Sequence, residues 1–390
     1  MKCLRSLFLS APLRPSYADA ADFLRVVCIG FLGWYHIWQQ SWLEPTLRLG
    51  SFYLSFFPPV SCGYMFVDLL LLLSGFLLML GFLNDRDRRP LDFYRSRAAR
   101  ILPSYWLCLA IILFAFALPQ KLYTSPAKLW GDLLPHLTFT HNLFYGSYLD
   151  TKLNGVLWTL AVEVQFYLLF PLLARAFTKK PALTYACMTG FSLLVRYRLC
   201  LWEEDVSLYF NRLSAMLDVY ANGMLAATVY VQLCKKPNDP WRVWLSTALT
   251  VCACIGILCI FNCQIYADSM TQIRRGQMAW RYLLSLAGGV ILVCGSRSIR
   301  LMRLLFSNRV TRFLSEISYN YYIWHQFLAV QLKKWRIPPY AEGQLSWQRM
   351  YTLICVCAAL LAAILVTYLI EKPCARLIKR KDCPTQDGNQ

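Results

Sequence analysis

Apolar residues run in long blocks along this chain, separated by short, mostly basic patches. Each block is close to the ~20 residues a helix needs to cross the ~30 Å hydrocarbon core of a bilayer. The pattern predicts ten spans, at about 23–43, 60–83, 101–118, 153–174, 182–200, 212–233, 242–262, 279–296, 313–332 and 350–370. The expected fold is therefore all-α, a polytopic membrane helix bundle of about ten transmembrane helices. It divides into a leader (1–22), a transmembrane domain (23–376) and a short tail (377–390). Lys2, Arg5 and the Ala18-Asp19-Ala20 triplet have a signal-sequence flavour, but Pro12, Arg14 and Pro15 break the apolar stretch, so no cleavage is expected. The longest connection, about 119–152, holds Pro119, Pro126, Pro135, His136 and His141 and is expected across the outer mouth of the bundle.

Composition supports the membrane reading: hydrophobic residues are 57% and charged residues only 16%, against roughly 25% charged in soluble domains. The net charge of +19 is punctuation between spans, so it calls for no nucleic-acid partner. With the N-terminus inside, cytoplasmic segments hold 25 of the 40 Lys and Arg and external ones 10, and Arg25, Arg196, Arg198, Arg212 and Arg281 fall at or within spans. The asymmetry predicts both termini cytoplasmic in a multi-pass protein of the cell membrane, a bacterial inner or plasma membrane. Most of the sixteen cysteines, such as Cys252, Cys254, Cys355 and Cys357, sit in apolar runs as small hydrophobes. Neither a metal site nor a disulfide framework is expected.

Polar residues inside the spans carry the candidate chemistry. Arg25 and His36 are eleven residues apart, about 20° beyond three helical turns, so they share a face about 16 Å apart. The imidazole suits proton transfer near neutral pH. Snorkelling of Arg25 and a helix-to-helix bond for His36 account equally for the pair. Asp68 needs a partner, either Arg25 or His36, while Ser74 and Gly75 suit close helix approach. Arg97 and Arg100 are neighbours on a helix face and offer guanidinium forks for phosphates, although cytoplasmic connections are basic in any case. Glu163 lies one turn from Tyr167, placed to orient an imidazole or to bind hydroxyl groups, or simply to join two helices. His325, in a Trp-rich span, reads as a packing residue.

In order, the chain carries Arg25-x10-His36, then Val67-Asp68…Leu73-Ser74-Gly75-Phe76, then Phe93-Tyr94-Arg95…Arg97-x-x-Arg100-Ile101-Leu102-Pro103. Trp158…Glu163…Phe166-Tyr167, Ser318-Tyr319…Tyr322-Ile323-Trp324-His325 and Glu371-Lys372-Pro373 follow. This ordered set, from about 20 to 376, resembles the acyltransferase 3 family of integral membrane acyltransferases. Ala161 and Val164 stand where relatives often carry Ser and a second Glu. The resemblance implies transfer of an acyl group, usually acetyl, from cytoplasmic acyl-CoA to a hydroxyl of a carbohydrate, cell-envelope glycan or lipid-linked glycan. It implies that Arg25 and His36 are the essential first-helix pair and that Arg95, Arg97 and Arg100 belong to the donor site.

On this reading acetyl-CoA is the acyl donor, with no metal, and membrane lipid surrounds the bundle. His36 is the expected general base, Asp68 or Glu163 sets its tautomer, and Trp158 and Tyr167 line the acceptor's path. Arg25 and His36 are expected to share one channel. An acyl-imidazole intermediate is the less favoured route. The alternatives are a secondary transporter, since buried charges also mark substrate paths, or a membrane substrate-binding module without transferase chemistry.

Overall fold

The structure, a computed structural model, describes residues 13–339 and 343–380. Most of the leader (1–12) and the end of the tail (381–390) lie outside the described residues. Among the described residues, ten helices of at least eighteen residues form the bundle. They are α1 (Asp19–Ser41), α2 (Phe66–Asn84), α3 (Pro90–Ile111), α4 (Trp158–Lys179), α5 (Pro181–Trp202), α6 (Leu217–Cys234), α7 (Pro240–Gln264), α8 (Met270–Val290), α9 (Arg309–Lys334) and α10 (Leu345–Val366). Seven are long and apolar enough to cross a membrane by length and composition, and α5, α6 and α9 are long but more polar. The chain is a multi-pass membrane protein.

Two features go beyond the sequence reading. The third helix begins at Pro90, before the span predicted from about 101. Pro90, preset for the first helical turn, and Asp92 beside it start α3 there, so Arg95, Arg97 and Arg100 ride on the helix. The connection after α1 folds into a hairpin, β1 (Thr46–Leu49) against β2 (Phe52–Ser55), paired from Thr46↔Ser55 to Leu49↔Phe52. Gly50, with φ +62°, makes its turn.

The centre is held by close helix contact and by buried ions. α2 crosses α6 where Gly75 faces Tyr220, and a Cβ on Gly75 would lie 2.7 Å from the Tyr220 carbonyl oxygen. Phe166 of α4 stacks on Tyr220 at 3.7 Å between ring centroids. Arg196 of α5 grips Asp218 of α6 through both nitrogens, at 2.9 and 2.5 Å. The long connection reaches into the bundle: Phe139 stacks on Tyr105 of α3 at 4.5 Å, and Tyr105 donates to the His136 carbonyl at 2.8 Å. Its Tyr148 and Leu149 reach the wall of a cavity at one end of the bundle. Asp22 near the start of α1 and Lys372 and Ala375 after α10 line one cavity, so both described ends of the chain lie at the same end of the bundle.

Candidate active site

Three cavities follow α1 through the bundle. At the end where α1 begins, a basic vestibule of about 900 Å³ is lined by Arg25, Arg88, Arg97, Arg100, Arg309, Arg312 and Lys372. Its three carboxylates are engaged. Asp22 accepts from Ser315 at 2.7 Å, Glu371 accepts from Asn320 at 2.7 Å, and Glu316 ion-pairs with Lys372. A π-helical turn, Thr367–Glu371, continues α10 and brings Thr367 and Glu371 into this wall.

Arg25, Arg97 and Arg100 also line an inner cavity of about 330 Å³, so they stand at its junction with the vestibule. Arg97 lies over the rings of Phe93 and Tyr167, at 5.8 and 5.9 Å from their centroids. Glu163 faces this space, accepting from Ser74 at 2.9 Å and from Tyr167. The i,i+4 spacing of Glu163 and Tyr167 makes that last bond local to α4.

At the opposite end lies an outer cavity of about 590 Å³. Aromatic rings dominate its wall, among them Tyr35, Trp38, Trp42, Tyr64 and Trp158, interspersed with the amides of Gln39, Asn211, Gln264, Gln277 and Gln326. Among the described residues lining it, Arg274 is the one formal cation and there is no carboxylate. His36 belongs to this cavity.

The tautomer of His36 follows from its neighbours. Gln39 donates its amide N–H to the Tyr35 hydroxyl at 2.8 Å, which turns its carbonyl oxygen toward His36 Nδ1 at 3.1 Å. Nδ1 must then carry the proton, leaving the Nε2 lone pair available as a base. Gln39 thus takes the place expected of Asp68 or Glu163, neither of which bonds the ring. The sequence carries the signal, an amide one turn after the histidine. His325 comes close, with ring centroids 5.2 Å from His36, and its Nδ1 donates to the Tyr322 carbonyl at 2.7 Å.

Arg25 and His36 line different cavities, which adjoin each other, and Val67 and Tyr322 are the walls that the inner and outer cavities share. The Tyr322 hydroxyl is fixed there by the Thr159 hydroxyl at 2.6 Å and the Val156 carbonyl at 2.7 Å.

Asp68 pairs with neither Arg25 nor His36. Its partner is Arg281 of α8, at 2.8 Å with both side chains fully buried, and Gln277 donates to it at 3.3 Å. Arg281 also donates to the Phe210 carbonyl at 2.7 Å and to Asn211 Oδ1 at 3.1 Å. The pair therefore fastens α2, α8 and the 205–216 connection behind the outer cavity. Arg95 is exposed and lines none of the three cavities.

Fold and cavities together define a multi-pass membrane protein with a site reached from both ends of its helix bundle. The chain belongs to the acyltransferase 3 family: it matches that family's Acyltransferase domain over residues 19–370. It is similar to the peptidoglycan O-acetyltransferase OatA of Listeria monocytogenes, 23% identical over 67% of this chain and 44% of that protein. Nodulation protein 10 of Rhizobium leguminosarum is 24% identical, over 59% of this chain and 65% of that protein. The O-acetyltransferase OatA of Staphylococcus aureus is 22% identical, over 92% of this chain and 57% of that protein. The chain spans about half the length of the curated relatives it matches. No solved structure matches it.

Proposed function

We propose that this protein is a membrane O-acetyltransferase that moves an acetyl group from acetyl-CoA to a hydroxyl of a cell-envelope carbohydrate. The observation that carries the reading is the contrast between two cavities meeting at one thin wall. One is rich in arginine and suits a polyphosphorylated donor through charge-assisted, forked hydrogen bonds. The other is nearly neutral, with aromatic faces to stack on sugar rings and amides to bond their hydroxyls. The names of the relatives, two of them O-acetyltransferases, support the same reaction.

The basic end faces the cytoplasm, where the positive-inside asymmetry puts it and where acetyl-CoA is available. The nucleotide lies in the vestibule. The pantetheine arm passes Arg25, Arg97 and Arg100 along the wall of Glu163 and Tyr167, and the thioester meets the acceptor at Val67 and Tyr322. The acceptor rests in the outer cavity against Trp158. His36 Nε2 takes the proton of the acceptor hydroxyl as its oxygen bonds to the acyl carbon. The carbon–sulfur bond then breaks, and the imidazolium returns the proton to the departing thiolate, leaving an ester and free CoA. Asp68, engaged by Arg281, positions the bundle and takes no part in proton transfer.

The test is thioester turnover by purified protein in nanodiscs, read as free thiol, with a panel of cell-envelope oligosaccharides as acceptors. Acceptor-dependent thiol release and an acetyl-sized mass gain on one oligosaccharide are expected, both lost in His36→Ala at unchanged yield and monodispersity. Near-normal turnover by His36→Ala sinks the mechanism. Transport of a solute without any thioester consumption sinks the enzyme reading.

A further inference from the structure

The arginines of the vestibule fall into two groups. Arg25, Arg97 and Arg100 line both the vestibule and the inner cavity, whereas Arg88, Arg309 and Arg312 line the vestibule and not the inner cavity, and Arg88 donates to the Asp92 carbonyl at 3.1 Å. Among the described residues neither Arg309 nor Arg312 makes an ion pair. The nearest candidate on their own helix, Glu316, one turn beyond Arg312, is held by Lys372 and by the Tyr368 hydroxyl at 3.2 Å. Asp22, on the facing helix, is occupied by Ser315 and by the Tyr17 hydroxyl at 2.5 Å. The two guanidinium groups are three residues apart on the first turn of a 26-residue helix. They therefore project to one side, with the positive end of the helix dipole behind them. Both side chains are exposed to the vestibule, where two forked cations without an available protein anion can take an anion that enters from solution.

Coenzyme A has a fixed order of groups: thiol, pantetheine, pyrophosphate, ribose with its 3′-phosphate, and adenine. If the thioester end goes inward, the pyrophosphate falls nearer the junction and the 3′-phosphate lies further out. We propose that Arg309 and Arg312 form a second anion subsite, separate from Arg97 and Arg100, that takes the 3′-phosphate and so selects acetyl-CoA over donors lacking it. This inference rests on the proposed donor and adds the residues that discriminate between donors.

Acetyl-CoA and 3′-dephospho-acetyl-CoA are the probes, used with full-length protein in nanodiscs. The wild-type protein is expected to show a KM at least about tenfold lower for acetyl-CoA, the scale of one good charge-assisted bond. In the Arg309→Gln/Arg312→Gln double variant the ratio of the two KM values collapses toward one. Arg309→Lys/Arg312→Lys retains part of it. Arg97→Gln/Arg100→Gln raises both KM values together, because both donors carry the pyrophosphate. A ratio that survives the Arg309→Gln/Arg312→Gln change overturns the subsite alone. So does a ratio that is unchanged while activity becomes sensitive to the phosphatidylglycerol content of the nanodisc, since the pair then holds a lipid headgroup. A wild-type protein that turns over neither thioester overturns the donor assignment, and the subsite with it.

Discussion

At His36 the tautomer is set by a neutral amide. Because Gln39 accepts from Nδ1 and is itself anchored to Tyr35, the ring is held with its basic nitrogen turned away from the Gln39 amide. Gln39→Met should lower kcat by about a hundredfold, the usual weight of a misdirected acid–base group, with little change in KM for acetyl-CoA. Steady-state kinetics with both substrates varied checks this; an equal rise in KM would assign Gln39 to binding instead. Much at this scale was legible in sequence. Arg25, His36, Asp68 and Glu163 stood out because a bilayer penalises such groups, and the Glu163–Tyr167 bond follows from helical spacing. The partner of Asp68 was not legible. Arg281 lies on a helix far along the chain, and periodicity within one helix says nothing about which other helix it meets.

At the scale of elements, buried ion pairs between helices bear weight that apolar packing cannot supply inside lipid. Arg281→Ala leaves Asp68 buried without its paired cation, at a cost of about 3–5 kcal/mol. A lowered melting temperature and early aggregation in detergent are expected, and an unchanged melting curve would contradict the role given to the pair. The 126–143 segment has its own sensitivity to acid. Burial, followed by the nearby His136, holds the His141 imidazole down to about 3, and the two rings stack at 4.0 Å. Burial pushes Asp132 up, but His136, the Lys152 backbone and Tyr123 outweigh it and hold the carboxyl below its ordinary value. An unfolded segment would bind protons that this folded one refuses, so stability is complete above the ordinary histidine value of about 6.5 and falls as pH drops toward 3. Hydrogen-exchange protection across residues 126–152, taken relative to the intrinsic rate at each pH, should fall between pH 7.5 and pH 5 while protection in α2 stays constant. The hairpin at 46–55 was not legible, since two short strands leave little pattern.

For the whole molecule, ten blocks were countable in the sequence; among the described residues ten long helices occur, of which seven are apolar enough to cross a membrane while α5, α6 and α9 are more polar. The three cavities were beyond the reach of sequence because each is bounded by residues from several distant helices. The separation of the inner from the outer cavity by Val67 and Tyr322 has a consequence for the membrane itself. With a hollow entering from each end of the bundle, these two side chains stand where the hollows adjoin, so the electrical tightness of the energised bilayer should depend on them. Val67→Gly should let proteoliposomes dissipate an imposed proton gradient several-fold faster than wild type, as read by an entrapped pH dye. Equal decay rates would mean that other groups hold the seal.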